Sequence, residues 1–544
     1  MSTARAVSRR QILRGAGAVA FAAAATPILA ACGDNPTAAG VTQANNKLAM
    51  PTYVPYSRVT PDLPAGQDLL PGFFRYPADL VTAFPSPPAA GAGTVNLLVD
   101  TFTPVPPALG SNRFWQAVNA KVGADLRFNM VPDSDYTTKV ATTLAGGDLP
   151  DIVMLPSWTP QLPQVLRSLF ADLTEFVSAD AVKAYPFLAN IPTFSWRPMV
   201  FNGGIYGLPT PRASIGSIMF TRDDTIARLS LNGAPKDYPE FLDLCRGLTD
   251  AKAGRWALGN AGATGGGAMQ FALEIAGAPN GWQEQGGTLV NAVTTDAYKQ
   301  ALDIVSSMVK EGLFHPDTFS GTFQQQRDWF GTGKVGLTLD GYAAWDIFVS
   351  TYPGINVGGM VAPAYRGGAS RHFTGSGSYA VTAIRKGSAS RVKQLLRVCD
   401  WMAAPLGTAE QLFRKFGTAG SDYTMVDGAP VATSTGTVET KIPMQYVVDA
   451  APTLGPGRRD VVQKQYDFHK KVAPILLADP TVGLYSPTNA SKGAAMNKIL
   501  TDSVSEILRG NKPVSSWDET ARGWRAAGGD QVTKELQQAY AQLH

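Results

Sequence analysis

The stretch Lys139-Val140-Ala141-Thr142-Thr143-Leu144-Ala145-Gly146-Gly147-Asp148-Leu149-Pro150-Asp151-Ile152-Val153 decides the fold of this 544-residue chain. Its first part has the apolar spacing of a helix that begins near residue 136, and the small residues 145–147 predict where that helix ends. Its last part opens a strand over 151–155 that is almost continuously apolar, which is typical of a parallel strand buried on both faces. A helix leading into such a strand indicates an α/β fold.

The same alternation of strands and helices continues on both sides of this stretch. Upstream, strands are predicted over 94–99 and 125–131, with a helix over 113–122 between them. A second unit begins near Pro211, and its predicted strands cover 217–221, 255–258 and 334–339. A later strand is predicted over 379–384. The C-terminal hundred residues are predicted to be mostly helical. In a parallel sheet covered by helices, ligands bind beyond the carboxyl ends of the strands.

The charge distribution argues against a nucleic-acid partner. The formal net charge of +4 comes from Arg5, Arg9, Arg10 and Arg14, because residues 1–32 contain no other charged residue and the remainder is balanced. A nucleic-acid surface needs clustered Lys and Arg. With 44% hydrophobic and 17% charged residues, the chain can build large cores. Its length predicts about two or three domains.

Residues 1–32 are predicted to be an export signal. A twin-arginine pair, Arg9-Arg10, precedes an Ala- and Gly-rich segment that is too short and too weakly apolar for a transmembrane helix. Leu29-Ala30-Ala31-Cys32 resembles a bacterial lipobox, in which the Cys32 thiol receives a diacylglycerol. The alternative is an ordinary cleavage site with an incidental cysteine. The lipobox predicts a mature protein anchored to the outer face of the bacterial cell membrane, with the twin-arginine and general export routes both open.

Residues 33–90 are predicted to be a proline-rich tether and surface arm. The first part, to about residue 47, is small and polar, as in a flexible linker. Beyond it aromatic residues alternate with prolines, as in Pro71-Gly72-Phe73-Phe74. Because aromatic rings are costly to leave in water, we expect an extended arm lying on the body of the protein. Plain disorder is the alternative.

Several motifs, in order, resemble those of the family 1 extracellular solute-binding proteins. The opening stretch resembles the family's helix, small-residue turn and Asp-x-Pro-Asp before a strand. Gly204-Ile205-Tyr206-Gly207-Leu208-Pro209 is similar to the family's approach to the hinge. Residues 217–223, 235–241 and 333–342 follow in the family's order, although Asp237 and Tyr238 replace the commoner Thr-Trp. Residues 510–518 resemble the tail of its larger oligosaccharide-binding lipoproteins, so the resemblance covers roughly residues 93–544.

The resemblance implies an α/β, periplasmic-binding-protein-like fold of two lobes, each with a mostly parallel sheet and flanking helices. By position, the N-terminal lobe comprises 91–210 and 375–440, and the C-terminal lobe comprises 211–374 and 441–544. Crossing segments are expected near Pro211, near Gly375 and over 430–445. The implied role is capture of a solute, which we expect to be a neutral oligosaccharide, by lobe closure and delivery to the permease subunits of an ABC importer. A monomer without enzymatic activity or cofactor is expected.

Carbohydrate sites place an aromatic ring against the apolar face of a sugar and polar groups against its hydroxyls. Trp158 is the first candidate because it follows a strand carboxyl end; a core or capping tryptophan is the alternative. The other candidates lie by position or resemblance at strand ends, crossings or the glycine-rich loop: Arg212, Trp256, Asn260, Gln270, Asp340, Tyr342, Trp345, Tyr379 and Tyr485. For Asp340 the alternative is a helix N-cap, and for Arg212 a hinge residue. Of Tyr342 and Trp345, Trp345 is the one more strongly expected to lie in the core.

Other chemistries find little support in the sequence. The four histidines are far apart and no metal-binding motif is present. The glycines of 331–336 precede a strand instead of following one, so they lack the arrangement that binds a dinucleotide. Cys245 and Cys399 are expected to be buried free thiols. The competing hypothesis is a lipid-anchored extracytoplasmic glycosidase or other carbohydrate-active enzyme. A glycosidase needs two carboxylates about 5–10 Å apart, and Asp340 and Asp346 are the nearest pair in sequence.

Overall fold

The computed structural model describes residues 38–259 and 266–542. The predicted export signal with Cys32, and the candidate Asn260, lie outside these ranges. Within them, nine strands form two main sheets, and we number the strands in chain order: β1 Thr94–Thr101, β2 Asp125–Pro132, β3 Ile152–Pro156, β4 Leu208–Pro211, β5 Ser217–Arg222, β6 Trp256–Leu258, β7 Val335–Gly341, β8 Val357–Met360 and β9 Ser378–Ile384.

The first sheet has the strand order β2-β1-β3-β9-β4. β1 runs parallel to β2 and β3, with Leu97 opposite both Phe128 and Ile152. β9 runs antiparallel to β3 and to β4. All five residues of β3 are buried, as its continuously apolar sequence predicts for a central strand.

The second sheet has the order β8-β5-β7-β6. β7 runs parallel to β6 and antiparallel to β5, which is also antiparallel to β8. Both sheets are therefore mixed, where mostly parallel sheets were expected. The reason lies in the crossings: Ser217 begins β5 opposite Gly341, the last residue of β7, and Ser378 begins β9 opposite Pro211, the last residue of β4. A strand that enters a sheet at the edge where its neighbour ends runs in the opposite direction.

Helices cover both sheets, as an α/β architecture requires. The helices of the described residues are Ala38–Lys47, Arg113–Val122, Asp133–Gly146, Leu162–Leu169, Thr174–Val177, Thr193–Trp196, Asp223–Arg228, Tyr238–Leu248, Gly266–Ala276, Asp296–Lys310, Phe323–Gly331, Ala344–Thr351, Ala389–Met402, Ala409–Phe416, Ser434–Glu439, Arg459–Val472, Pro487–Leu508, Trp517–Trp524 and Asp530–Tyr540. Small two-stranded pairings join Val200–Phe201 with Gly204–Ile205, Trp282–Gln285 with Thr288–Asn291, His372–Phe373 with Leu476–Leu477, and Tyr423–Val426 with Ala429–Ala432.

Separate hydrophobic cores define the two lobes. The core around the first sheet draws on residues 89–208 and 380–448. The cores around the second sheet draw on 215–362 and 454–536. The last crossing therefore lies between Val448 and Leu454, later than the expected 430–445, because the segment before it is still packed in the first core through Ile442, Met444, Val447 and Val448.

Two further features bear on the expectations from sequence. Cys245 and Cys399 are free and buried, as expected, and burial raises the pKa of each thiol. None of the described helices has the length and apolarity needed to cross a membrane.

Candidate ligand-binding cleft

The strand ends of the two lobes meet at an interface, which we call the cleft. In the first lobe, β1 ends beside Phe102, β3 ends before Trp158, and β9 begins at the same edge. In the second lobe, β7 ends at Asp340 and Gly341. This is the position where ligands bind in α/β sheets, beyond the carboxyl ends of the strands.

A buried carboxylate and a tyrosine form the floor on the first-lobe side. Tyr379, in β9, donates its hydroxyl to Asp100 Oδ2 at 2.6 Å. Asp100 is only 1% exposed, and its Oδ1 atom receives no hydrogen bond from another described residue. Burial raises the pKa of Asp100 to about 6, while the hydrogen bond from Tyr379 acts in the opposite direction. Burial and the charge of Asp100 raise the pKa of Tyr379.

Arg212, at the first crossing, lies against two aromatic rings of the floor. Its guanidinium carbon is 5.1 Å from the ring centre of Tyr379 and 5.9 Å from that of Tyr446. Its Nη1 atom donates to the carbonyl of Pro211 at 2.9 Å. Such stacking holds a guanidinium in a fixed plane while leaving donors for a ligand.

The second lobe contributes a buried ion pair. Arg327, on the helix Phe323–Gly331, donates from Nε to Asp340 Oδ2 at 2.7 Å and from Nη2 to Asp340 Oδ1 at 3.2 Å. The two side chains are 12% and 6% exposed. Burial alone would lower the pKa of Arg327, but the hydrogen bonds and charge of Asp340 raise it. Asp340 is therefore neither a free ligand acceptor nor a helix N-cap, since the cap of the helix Ala344–Thr351 is Ala343.

Aromatic and charged groups of the two lobes meet across the cleft. The rings of Phe102 and Phe323 contact edge to face, with 6.1 Å between centres, and the Arg327 guanidinium lies 4.5 Å from the centre of Phe323 and 5.9 Å from that of Phe102. Asp133 begins the helix Asp133–Gly146; burial raises its pKa and the charge of Arg327 counters this. These contacts bring the lobes together in the present structure.

Trp158 has the exposure expected of a ligand-stacking residue. It is 59% exposed, and its indole nitrogen donates a 3.4 Å hydrogen bond to Thr137 Oγ1. Thr137 lies one helical turn after Asp133, so both occupy the same face of their helix. Trp158 is thus fixed by one edge of its ring to the helix face that also carries Asp133, while much of the ring remains open to solvent.

Tyr342 and Trp345 are placed in the core of the second lobe. Tyr342 is 5% exposed and donates its hydroxyl to the carbonyl of Gln465 at 2.7 Å. Trp345 is 1% exposed and packs edge to face on Phe220. The cause is local: the chain turns into the helix Ala344–Thr351 directly after β7, which carries both rings beneath the sheet edge. Neither ring has a face left for a sugar in this arrangement.

Three further candidates lie away from the floor of the cleft. Trp256 begins β6 opposite Val335, at the opposite end of β7 from Asp340, and packs edge to face on His315 at 4.8 Å. Gln270 is partly exposed on the helix Gly266–Ala276. Tyr485 lies close to Gln164 of the first lobe, so it is placed between the lobes but apart from the Tyr379 group.

The structure brings together several residues that sequence reasoning missed: Asp100, Phe102, Asp133, Phe323, Arg327 and Tyr446. Asp100 and Phe102 had a usable signal, because they follow the strand predicted over 94–99 just as Trp158 follows the strand predicted over 151–155. Arg327 and Tyr446 had none, since their positions depend on how separate elements pack. The resulting site offers aromatic faces, guanidinium donors and carboxylate acceptors. Across 38–259 and 266–542, no group of three or more His, Cys, Asp or Glu side chains is arranged to hold a metal ion.

Two lobes that close over a cleft lined with stacking and hydrogen-bonding groups define a solute-binding protein. The sequence profile of the bacterial extracellular solute-binding proteins matches residues 108–411. The chain belongs to this family, whose members bind substrates without transforming them. The glycosidase hypothesis finds no support in its proposed pair either: Asp340 is held by Arg327, and Asp346 accepts a 2.9 Å hydrogen bond from Gln465.

Individual relatives are distant but cover most of the chain. Lipoprotein LipO of Bacillus subtilis is 22% identical over 82% of this chain and 92% of its own length. The polygalacturonan/rhamnogalacturonan-binding protein YtcQ of the same organism is 21% identical over 79% of this chain and 88% of its own.

Solved structures share the fold. The alginate-binding protein AlgQ2 superposes with a TM-score of 0.61 at 16% identity, covering 85% of this chain and 99% of that one. FusA of Streptococcus pneumoniae, solved in complex with kestose, gives a TM-score of 0.62 at 14% identity, covering 83% and 99%. At this level of identity the likeness establishes the two-lobe fold.

Proposed function

We propose that this protein captures a neutral oligosaccharide in the cleft and delivers it to the permease subunits of an ABC importer. The observation that carries the proposal is the composition of the cleft. Exposed and half-buried aromatic rings stand beside two guanidinium groups and three carboxylates, namely Arg212, Arg327, Asp100, Asp133 and Asp340. Rings and paired charges suit an uncharged ligand with many hydroxyls.

In this proposal, different side chains bind different groups of the ligand. Trp158 offers the open ring face on which a sugar stacks. Asp133 accepts hydroxyl hydrogen bonds beside it. Arg212, held flat on Tyr379 and Tyr446, donates to ring or hydroxyl oxygens at the floor. The unpartnered Oδ1 atom of Asp100 is a further acceptor for a hydroxyl that reaches the floor. Tyr342 and Trp345 have no part in this proposal because their rings are packed on all sides.

Binding proceeds without chemistry. A ligand that contacts both lobes is held more tightly when the lobes are closed than when they are open, so it shifts the equilibrium toward the closed state. The importer then recognises the loaded, closed form. The ligands of related proteins support a carbohydrate: one relative binds alginate, one binds polygalacturonan and rhamnogalacturonan, and others are solved in complex with kestose and with the glycan Man5GlcNAc.

An acidic oligosaccharide is the second candidate, because two of these relatives bind acidic polysaccharides. The charge of the cleft argues against an acidic ligand. Arg327 is already neutralised by Asp340, and Arg212 shares its surroundings with Asp100. A uronate carboxylate would therefore face at least as many carboxylates as free guanidiniums.

A thermal-shift screen separates the candidates. The panel contains neutral oligosaccharides of glucose, fructose and mannose, and acidic oligomers of galacturonate and of alginate. A ligand at 100 times its Kd stabilises the folded state by about 2.7 kcal/mol, which raises the melting temperature measurably. We expect neutral oligosaccharides to raise it and to be recovered intact. If only the acidic oligomers raise the melting temperature, the ligand is an acidic oligosaccharide and not a neutral one. If no sugar raises it, the carbohydrate assignment is wrong.

The lipobox bears on where the protein is located and how it is anchored. We propose that the lipobox of residues 29–32 directs lipidation of Cys32 and holds the mature protein at the outer face of the membrane as a monomer. Expression in a bacterial host with labelled palmitate tests this. The natural chain should carry label and fractionate with membranes, while Cys32→Ser should carry none. Label on both chains, or on neither, would remove the anchor from the proposal without affecting the ligand.

A further inference from the structure

The first described helix, Ala38–Lys47, contacts both lobes at once. On the first-lobe side, the backbone nitrogen of Gly203 donates to Asn45 Oδ1 at 2.7 Å. The helix also packs on the short strand Val200–Phe201, and Gly203 approaches Ala44 so closely that an added Cβ would lie 3.0 Å from the Ala44 Cβ. Gly203 has a φ of +81°, which permits this approach at a tight turn.

On the second-lobe side, the same helix packs against the C-terminal helix Asp530–Tyr540. The backbone nitrogen of Tyr485 donates to Thr42 Oγ1 at 3.3 Å. Thr42 is fully buried and Val41 is 5% exposed, although residues 43–47 of the same helix are largely exposed. The buried face of this helix is therefore divided between two lobes.

The chain that follows continues to alternate between the lobes, and we call residues 38–84 the strap. At the first lobe, the Thr52 nitrogen donates to the carbonyl of Ala179 at 3.0 Å. At the second lobe, Phe73 and Leu454 are joined by a 2.9 Å backbone hydrogen bond, and Leu63, Leu69, Leu70 and Phe74 pack on the core.

The strap then returns to the first lobe. The backbone nitrogens of Ala83 and Phe84 donate to the carboxylate of Glu410 at 3.1 and 2.9 Å. The ring of Phe84 packs edge to face on Phe187 at 5.5 Å. Each passage between lobes is thus fixed at both ends by hydrogen bonds and apolar burial.

These contacts exist while the lobes touch across the cleft, through the rings of Phe102 and Phe323. The residues that hold the strap helix, Gly203 and Tyr485, belong to none of the three crossing segments. A hinge motion at the crossings must therefore separate, or slide, the two surfaces that share this helix. If the two surfaces separate, Val41 and Thr42 lose their burial.

We infer that the strap is a clasp that favours the closed arrangement of the lobes, and that release of its helix opens the cleft. The inference rests on the lobe movement of the proposed function, but it concerns a part of the chain outside the ligand site. It adds a restraint within the protein to the equilibrium that the ligand shifts. Loss of the clasp makes the open state more populated before any ligand is added.

The test compares Val41→Asp with Gln43→Asp in full-length protein carrying Cys32→Ser. Both substitutions add one negative charge to the same helix, but Val41 is buried and Gln43 is exposed. Lys121→Cys in the first lobe and Lys310→Cys in the second carry spin labels, because both lysines are exposed and the native Cys245 and Cys399 are buried. Pulsed dipolar spectroscopy then gives the distance distribution between the lobes without ligand.

We expect Val41→Asp to give a longer and broader distribution than the parent, while Gln43→Asp leaves it unchanged. Hydrogen exchange of residues 38–47 verifies in the same samples that the helix is released. Release with an unchanged distance distribution would overturn the inference. If Val41→Asp does not fold, Asn45→Ala provides the milder variant, and its distribution decides in the same way. Since no ligand is used, this result is independent of which sugar, if any, the protein binds.

Discussion

The Tyr379 hydroxyl lies 2.6 Å from Asp100 Oδ2 and donates a hydrogen bond to it. The two residues are 279 positions apart in the chain. Asp100 lies near the end of β1, whereas Tyr379 lies near the start of β9, the strand that returns from the second lobe. This bond therefore couples the buried charge of the cleft floor to the position of a crossing segment.

Tyr379→Phe should destabilise the protein by about 1–3 kcal/mol, because it removes the donor from a buried carboxylate. The loss is measured by urea denaturation at pH 7. Tyr53→Phe is the control, since Tyr53 is 45% exposed and should change the free energy of unfolding by less than about 0.5 kcal/mol. Equal stability of the two variants would show that the Asp100 carboxylate does not depend on this donor.

Stability should depend on pH through Asp100. Its pKa in the folded state is raised to about 6 by burial, above the ordinary value of 3.8. The folded state thus binds this proton more tightly than the unfolded state, and its contribution is present at low pH and lost as pH rises from about 4 to 6. Asp100→Asn removes that contribution. Asp400, whose pKa burial raises to about 7, remains in both chains, so the relevant quantity is the difference between the two stability curves. Parallel curves would contradict the prediction.

Arg327→Met should cost about 3–5 kcal/mol, because it leaves the Asp340 carboxylate buried without its partner. The double variant Arg327→Met with Asp340→Leu should recover most of that loss, since both charges are then absent. Arg458→Met breaks an exposed pair with Asp460, whose side chains are 67% and 69% exposed, and should cost less than about 1 kcal/mol. Chemical denaturation gives all three values. A single variant no less stable than the exposed control would mean that Asp340 is solvated after all.

Trp158→Ala and Trp345→Ala should separate ligand binding from packing. Trp158 is 59% exposed, so its loss should change stability by less than about 0.5 kcal/mol. Its loss should weaken binding of any oligosaccharide found in the screen, measured by calorimetry. Trp345 is 1% exposed, and its loss should cost about 3–5 kcal/mol. Unchanged sugar affinity in Trp158→Ala would remove this residue from the site.

The two internal cysteines should be unreactive in the folded protein. Both are buried and their thiol pKa values are raised by burial, so little thiolate is present to attack a reagent. In a Cys32→Ser background, Ellman's reagent should detect no thiol before denaturation and two afterwards. Rapid reaction of either thiol under native conditions would indicate that the lobe containing it opens locally.

Local patterns in the sequence predict the elements of this fold well. The helix expected over 113–122 is Arg113–Val122, and the strand expected over 379–384 is Ser378–Ile384. These elements are encoded by short-range apolar spacing. No local pattern locates the last crossing, because residues 442–448 have little regular structure and their burial in the first core leaves no periodic signal.

The cleft is harder to predict because its geometry depends on contacts between distant segments. Trp158 and Trp345 both follow strand ends, yet Trp158 is exposed and Trp345 is buried. Trp345 is buried because the helix that carries it packs its ring on Phe220. The pairing of Arg327 with Asp340, and the stacking of Arg212 on Tyr446, join elements that no local pattern connects. Sequence reasoning finds strand ends, whereas packing decides which side chains remain available there.

The position of β9 in the first sheet has a consequence for the order in which the protein folds. β3 pairs on one side with β1, but its other neighbour is β9, which leaves the ribosome only after all four strands of the second sheet. Until then the nascent first lobe carries an open, fully apolar strand edge, and such edges pair readily with other chains. The first lobe begins to form first, but it is completed only after the strands of the second sheet have been made.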